Sequence, residues 1–225
     1  MPRINVSEKK APYAIGAAIL VIIISILSIG RTIGPGKVAG SGPYIDMASI
    51  EAEETANSLG DNKRVVVIAY ATTADHKVLR ARNRTFIEAL DKSGAEVIAT
   101  EELGAKDGPQ ISEVAMVGVP MTEFLRVADA YPNADAIVSL VGVPYADLNE
   151  IDELPDSFPA LIVAGGVNDM GMPVSPLFDA GILHMVIIPR YAAYEGTGES
   201  TARELFDQSY QVVTAETESD AQADY

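Results

Sequence analysis

The chain has 225 residues, a net charge of −16 at pH 7 and no cysteine. This length is sufficient for one domain with a substantial core beside a short membrane segment. The lack of cysteine excludes disulfides, thiolate catalysis and Cys-ligated zinc or iron–sulfur sites. The first 42 residues hold five basic side chains and one acidic one, so the remaining residues carry a net charge of −20. That charge excludes nucleic acid as a partner, because it repels phosphate.

Residues 13–30 form an uncharged stretch dominated by Ile, Leu, Val and Ala. The stretch has the length and composition of a transmembrane helix, which would contact membrane lipid. The alternative is a cleavable secretory signal, whose apolar region is usually shorter, about 7–15 residues. The sequence between Ser25 and Arg31 is a poor cleavage site, which favours an uncleaved anchor.

The basic residues that flank this stretch indicate its orientation. Arg3, Lys9 and Lys10 precede it, and two basic residues follow it closely. The small excess before the span favours a cytoplasmic N-terminus, with residues 1–12 as a cytoplasmic tail. We therefore expect a single-pass membrane protein whose C-terminal domain is periplasmic or otherwise extracytoplasmic.

A spacer and a short acidic helix follow the span and together occupy residues 31–63. Residues 31–43 contain four glycines and two prolines, which is typical of a flexible spacer. Residues 44–59 are predicted to be a helix at the edge of the domain. We expect three of its four acidic side chains to be mostly solvated: Glu51, Glu53 and Glu54.

From residue 64 the chain alternates short apolar runs with amphipathic stretches. The predicted strands cover residues 65–70, 96–100, 135–141, 160–164, 184–189 and 210–215. The predicted helices cover residues 77–93, 122–131 and 199–206. The alternation predicts a single α/β domain over residues 64–215, with a doubly wound, mostly parallel and Rossmann-like sheet of about six strands. Residues 104–120 receive no assignment, and residues 216–225 are predicted to be a mobile acidic tail.

Four phrases of the sequence resemble the N-terminal lobe of type I periplasmic binding proteins, the sugar-binding and LacI-like fold. They read VVVIAY, YPNADAIVSLVGVP, ALIVAGG and ELFDQSYQVVTAE, and the resemblance covers residues 64 to about 216. It implies a small-molecule solute as ligand. Members of that family close two lobes on a solute, whereas this chain ends about where the crossover into a second lobe would begin. The loop after the first strand also lacks the aromatic residue that such lobes usually offer.

Candidate ligand-binding residues follow the predicted strands, since open α/β sheets bind ligands outside the carboxyl ends of their strands. The candidates are Thr72, Thr73 and Asp75 after the first strand, Tyr145 after the third, Asn168 and Asp169 after the fourth, and Arg190 and Tyr191 after the fifth. The alternative is that these residues only form turns, cap helices or pair with local charges.

The sequence contains no recognisable catalytic or cofactor-binding motif. The first strand–helix turn lacks the glycines of a dinucleotide site, and neither a P-loop nor a Gly-x-Ser-x-Gly elbow occurs. Neither His76 nor His184 has a second ligand at metal-binding spacing. We therefore expect a protein that is not an enzyme and assign no catalytic residue, cofactor or metal.

One cluster of basic residues stands out in the acidic part of the chain. Lys77, Arg80, Arg82 and Arg84 lie within eight positions of one predicted helix. Such a cluster is either a solvated helix face or a docking patch for an acidic partner.

Two functions are compatible with these observations. The first, which we favour at this stage, is a non-enzymatic accessory or scaffolding subunit that contacts other subunits of a membrane complex. The alternative is a tethered domain that binds or senses a small-molecule solute.

The predicted topology has a direct test. Protease added to intact cells or spheroplasts should degrade the C-terminal domain, because an anchor with a cytoplasmic N-terminus places that domain outside. Immunoblotting of the domain before and after membrane rupture measures this accessibility. A domain that is degraded only after rupture would contradict the predicted orientation.

Overall fold

A computed structural model describes residues 42–60, 63–72, 76–104, 119–146, 150–151, 153–155, 157–165, 174–190 and 201–217. The predicted membrane span at residues 13–30 and the acidic tail from residue 218 lie outside these ranges. Among the helices described, none has both the length and the apolar composition needed to cross a membrane.

The described chain alternates helices and strands, as predicted. The helices are α1 (Gly42–Leu59), α2 (Lys77–Lys92), α3 (Met121–Ala130), α4 (Ser175–Asp179) and α5 (Ala202–Ser209). The strands are β1 (Arg64–Tyr70), β2 (Glu96–Leu103), β3 (Val119–Pro120), β4 (Ala136–Ser139), β5 (Pro144–Tyr145), β6 (Ala160–Val163), β7 (Leu183–Pro189) and β8 (Tyr210–Thr214).

Six of these strands form one sheet in the order β2-β1-β4-β6-β7-β8. All neighbouring pairs are parallel except β7 and β8, which are antiparallel. The predicted doubly wound, mostly parallel sheet of about six strands is thus confirmed. The two-residue strands β3 and β5 pair with each other outside this sheet and were not predicted.

Alternating side chains of each strand build two cores, one on each face of the sheet. Val66, Ile68 and Tyr70 of β1 pack on the face covered by α3 and α4. Val65 and Val67 pack on the opposite face, which is covered by α1, α2 and α5. This two-sided burial explains why β1 reads as a continuous apolar run.

Helix α1 covers a part of the sheet that no parallel crossover covers. Right-handed crossovers place α3 and α4 on one face and leave only α2 on the other, over β1 and β2. The remaining face of β4, β6 and β7 is covered by α1, which contacts α2, α5 and β7. Its buried stripe includes Ala48, Ala52 and Ala56, which let the helix approach the sheet closely.

One acidic side chain of α1 does not lie where the sequence predicted. Glu51 is buried, with 2% of its surface exposed, and forms an ion pair with Arg82 of α2. The prediction that Glu51 is solvated is therefore wrong. Glu53 and Glu54 lie nearer the surface, where both interact with Arg203 of α5.

Helix α5 begins with a reciprocal cap that the sequence encodes locally. The Thr201 side chain accepts a hydrogen bond from the backbone N–H of Glu204, and the Glu204 carboxylate accepts one from the Thr201 backbone N–H at 2.8 Å. Backbone and side-chain hydrogen bonds from Thr201 lower the pKa of Glu204. This capping box fixes the start of the last helix before β8.

Candidate ligand site at the carboxyl ends of the strands

The strand order reverses between β1 and β4, and this reversal defines the candidate site. The chain leaves β1 through α2 toward β2 on one side, whereas it leaves β4 toward β6 on the other side. The loops therefore diverge above the carboxyl ends of β1 and β4, which is where doubly wound sheets bind ligands. The backbone N–H of Leu140 donates to the carbonyl of Ile68 at 2.8 Å, so the two strand ends stay together up to the crevice.

A buried serine shapes the turn that follows β4. The Ser139 hydroxyl donates to the carbonyl of Gly142 at 2.6 Å and accepts from the backbone N–H of Val141 at 3.3 Å. The Tyr70 hydroxyl at the end of β1 donates to the Val141 carbonyl at 3.1 Å. Gly142 has a φ of 98°, which an L-amino acid with a side chain rarely adopts. The turn is thereby held in one conformation by side chains from both sides of the reversal.

The turn after β4 also contacts the end of β6. The Gly142 backbone N–H donates to the carbonyl of Gly165 at 3.0 Å, and Ala164 donates to the carbonyl of Ser139 at 2.9 Å. The carboxyl ends of β1, β4 and β6 therefore form one continuous hydrogen-bonded edge. A solute at this edge would meet a preformed backbone surface.

Behind Gly165 lies the guanidinium group of Arg82. A Cβ atom at Gly165 would lie 2.6 Å from Nη2 and 3.3 Å from Nη1 of Arg82, so only glycine leaves room for this side chain. Arg82 is 5% exposed, forms its ion pair with Glu51 and lies 5.3 Å from the ring centroid of Tyr44. Its Nε has no hydrogen-bond partner among the described residues.

Burial dominates the electrostatics of this ion pair. Burial raises the pKa of Glu51, and the charge and hydrogen bond of Arg82 offset that increase only in part. The guanidinium stays protonated at any physiological pH. A buried positive charge with one carboxylate partner therefore lies directly behind the strand-end edge.

The described members of the predicted ligand set lie at different places along this edge. Thr72 is half-buried just after β1, and Arg190 is exposed just after β7. With β4 and β6 between them, three interstrand steps separate these positions by about 14 Å. Arg190 is anchored beside β8, since its Nε donates to the Tyr210 carbonyl at 3.0 Å. Tyr145, 51% exposed, lies in β5 and not in the six-stranded sheet.

The other predicted ligand residues lie outside the described residues. These are Thr73, Asp75, Asn168, Asp169 and Tyr191. Each belongs to a segment that continues from the carboxyl end of a strand in the six-stranded sheet, so their assignment remains a prediction.

The predicted docking patch is smaller than the sequence indicated. Lys77, Arg80 and Arg84 are exposed on α2, and Arg84 forms an ion pair with Glu88 one turn later. Arg82 is buried and does not belong to the patch, so that part of the prediction is wrong. The physical reason is helical phase, because residues 82, 86 and 90 lie on the same inward stripe.

Sequence reasoning missed Glu51, Tyr70 and Ser139 as residues that organise the site. A signal for Glu51 was present, since it lies between Ala48 and Thr55 on the buried stripe of α1. No comparable local signal marks Ser139, whose role depends on the turn that follows it.

No family model matches this chain, and no curated protein matches it. Among solved structures, the chain is similar to an ABC transporter solute-binding protein from Burkholderia graminis in complex with D-arabinose. The identity is 13%, the TM-score is 0.49, and the match covers 77% of this chain and 60% of that one. AraP, an arabinose-binding protein from Geobacillus stearothermophilus, matches with 16% identity and a TM-score of 0.48, over 80% of this chain and 63% of that one.

A periplasmic solute-binding protein from Actinobacillus succinogenes with bound D-allose matches with 12% identity and a TM-score of 0.47. That match covers 78% of this chain and 61% of the other. The chain thus spans about three fifths of the length of these three proteins. All three are solute-binding proteins. Identities this low do not assign a ligand to this chain.

The role of Ser139 can be measured directly. Replacing Ser139 with Ala should lower the free energy of unfolding by about 1–3 kcal/mol, because a buried carbonyl and a buried N–H both lose their partner. Denaturant unfolding of the full chain measures this loss. Ser49→Ala is the matched control, since the Ser49 hydroxyl makes one exposed bond to the Asp46 carbonyl and its loss should cost much less. Equal effects of the two substitutions would contradict the assigned role.

Proposed function

We propose that this domain binds a small polar solute at the carboxyl ends of β1, β4, β6 and β7. The observation that carries the proposal is the reversal of strand order between β1 and β4, above which the described loops diverge. The hydrogen bond from Gly142 to Gly165 supports it, because a preformed edge reduces the entropy lost on binding. The function is therefore solute binding or sensing and involves no chemical reaction.

The charge of the domain narrows the class of solute. A net charge of −20 beyond residue 42 disfavours anions at long range. The Thr72 hydroxyl after β1 and the Arg190 guanidinium after β7 can donate hydrogen bonds from separate strands, with the Asn168 amide after β6 as a further predicted donor. We propose a neutral, hydroxyl-rich solute, and pentoses and hexoses are the first probes to test.

We further propose that residues 13–30 anchor the domain at a membrane, with the N-terminus in the cytoplasm and the domain outside. The proposal rests on the uncharged apolar stretch and on the basic residues before it. A tethered domain keeps the solute site close to the membrane.

Solute binding should raise the melting temperature of the full chain. A solute that binds only the folded state stabilises it by about 2.7 kcal/mol at a concentration one hundred times its Kd. Thermal unfolding in detergent with and without each sugar measures the shift. Arg190→Ala and Asn168→Ala should abolish it.

The matched control is Arg64→Ala, an arginine 44% exposed at the opposite, amino end of β1. This variant should keep the full shift. If no pentose, hexose or related polyol changes the melting temperature, the proposed function is wrong for this class. If the Arg64 variant loses the shift as the Arg190 variant does, the site is not at the carboxyl ends.

A second candidate function is that of an accessory subunit in a membrane complex. The observation that favours it is the exposed patch formed by Lys77, Arg80 and Arg84 on one helix of a strongly acidic domain. Exposed charges of this kind act mainly on association rate and salt sensitivity. The partner would then present an acidic surface to α2.

Reversing charge in this patch tests the second candidate. Arg80→Glu combined with Arg84→Glu should leave the free energy of unfolding within roughly 0.5 kcal/mol, yet make retention of partner subunits more sensitive to salt. Co-purification from detergent extracts at increasing salt measures retention. The control is Lys63→Glu with Lys92→Glu, which makes the same charge change at exposed positions beyond the patch. Identical retention of the two double variants would contradict the docking role.

A further inference from the structure

Arg82 contacts two parts of the domain that are otherwise far apart in sequence. Its guanidinium forms the buried ion pair with Glu51 of α1 and lies over the ring of Tyr44 at the start of that helix. The same group lies against Gly165, the residue at which the loop after β6 begins. One side chain of α2 therefore joins the strand-end edge to α1.

The other contacts of α1 are less specific than this ion pair. Besides Glu51, its buried stripe contains three alanines and one threonine, and Met47, Ile50 and Leu59 pack partly buried against the same core. Apolar contacts of this kind are non-directional. Arg203 of α5 interacts with Glu53 and Glu54, but it is 41% exposed, where salt and solvent weaken ion pairs. The buried pair is thus the most specific contact that fixes α1 to the helix beside it.

The guanidinium is in contact with protein groups on two sides. The backbone of Gly165 is within contact distance on one side, and Glu51 and Tyr44 hold the group on the other. A shift of Gly165 toward α2 would displace the guanidinium and disturb its ion pair with Glu51. A closely packed interior transmits such a displacement because it cannot absorb it.

We infer that Arg82 couples the strand-end site to α1, so that binding of a solute changes the packing of α1. The biological role of this coupling rests on the proposed function, whereas the coupling itself is measured without any solute. Arg82 is a positioning residue in this account, and it does not contact the solute.

Hydrogen exchange of the full chain, followed by mass spectrometry, tests the coupling from both ends. Gly165→Ala places a methyl group against the guanidinium, and the amides of α1 should then exchange on the order of tenfold faster, although the change lies more than a hundred residues from that helix. Gly165 does not have a positive φ, so alanine is compatible with its backbone. Glu51→Gln should accelerate exchange both in α1 and in the segment 157–165.

Two controls separate coupling from general loss of stability. Gly42→Ala adds a methyl group in open space, and Glu88→Gln breaks the exposed pair with Arg84 on α2; neither should change exchange in the segment 157–165. The decisive variant replaces the pair with apolar residues, as Glu51→Leu with Arg82→Met, which should keep α1 protected because no charge is left unpaired. In that background Gly165→Ala should no longer affect α1.

Two results would overturn the inference. The first is normal protection of α1 in the Gly165→Ala variant. The second is accelerated exchange of α1 by Gly165→Ala in the apolar background as well, since the effect would then not pass through Arg82. If Gly165→Ala does not fold, the test rests on the Glu51→Gln variant. Unchanged hydrogen exchange in the segment 157–165 of that variant would contradict the coupling. If no solute changes the melting temperature, the proposed function is wrong. The hydrogen-exchange result on coupling still stands in that case, because it is measured without solute.

Discussion

The buried ion pair between Glu51 and Arg82 is the interaction on which the arrangement of this domain depends. Right-handed crossovers leave one face of β4, β6 and β7 without a crossover helix, and α1 covers it. The alanine stripe lets α1 approach the sheet closely but does little to fix its position along the sheet. A buried charge, in contrast, requires its partner at one place. Such a pair adds little net stability, but the loss of one partner typically costs about 3–5 kcal/mol. The pair therefore fixes where α1 lies more than how strongly it is held.

The same pair places a constraint on the candidate site. Because the guanidinium occupies the space behind Gly165, a side chain at this position would displace it. The turn after β4 is held from the other side by Ser139 and Tyr70. The strand-end edge is thus shaped by buried side chains of β1, β4 and α2, and supporting residues of this kind are how a fold preorganises a site.

The sequence was informative where local pattern determines structure. The apolar run of β1 predicted a strand buried on both faces, and the phase of residues 44–59 predicted the helix that is observed as α1. The pattern could not show that Glu51 finds its partner 31 positions away or that Arg203 reaches Glu54 across 149 positions. The clustering of basic residues in the sequence wrongly placed Arg82 in the docking patch. Its helical phase places it on the buried side of α2. The strands β3 and β5 have two residues each, too few for a periodic signal.

We propose that a solute bound at the strand ends changes the surroundings of the Arg82 guanidinium at α1. The chain contains no tryptophan, so Tyr44→Trp would place its one tryptophan over the Arg82 guanidinium. Titration of the full chain with a solute that raises its melting temperature should change the emission of this tryptophan with the same Kd as the thermal shift. An emission that stays constant while the solute saturates the site would contradict the account.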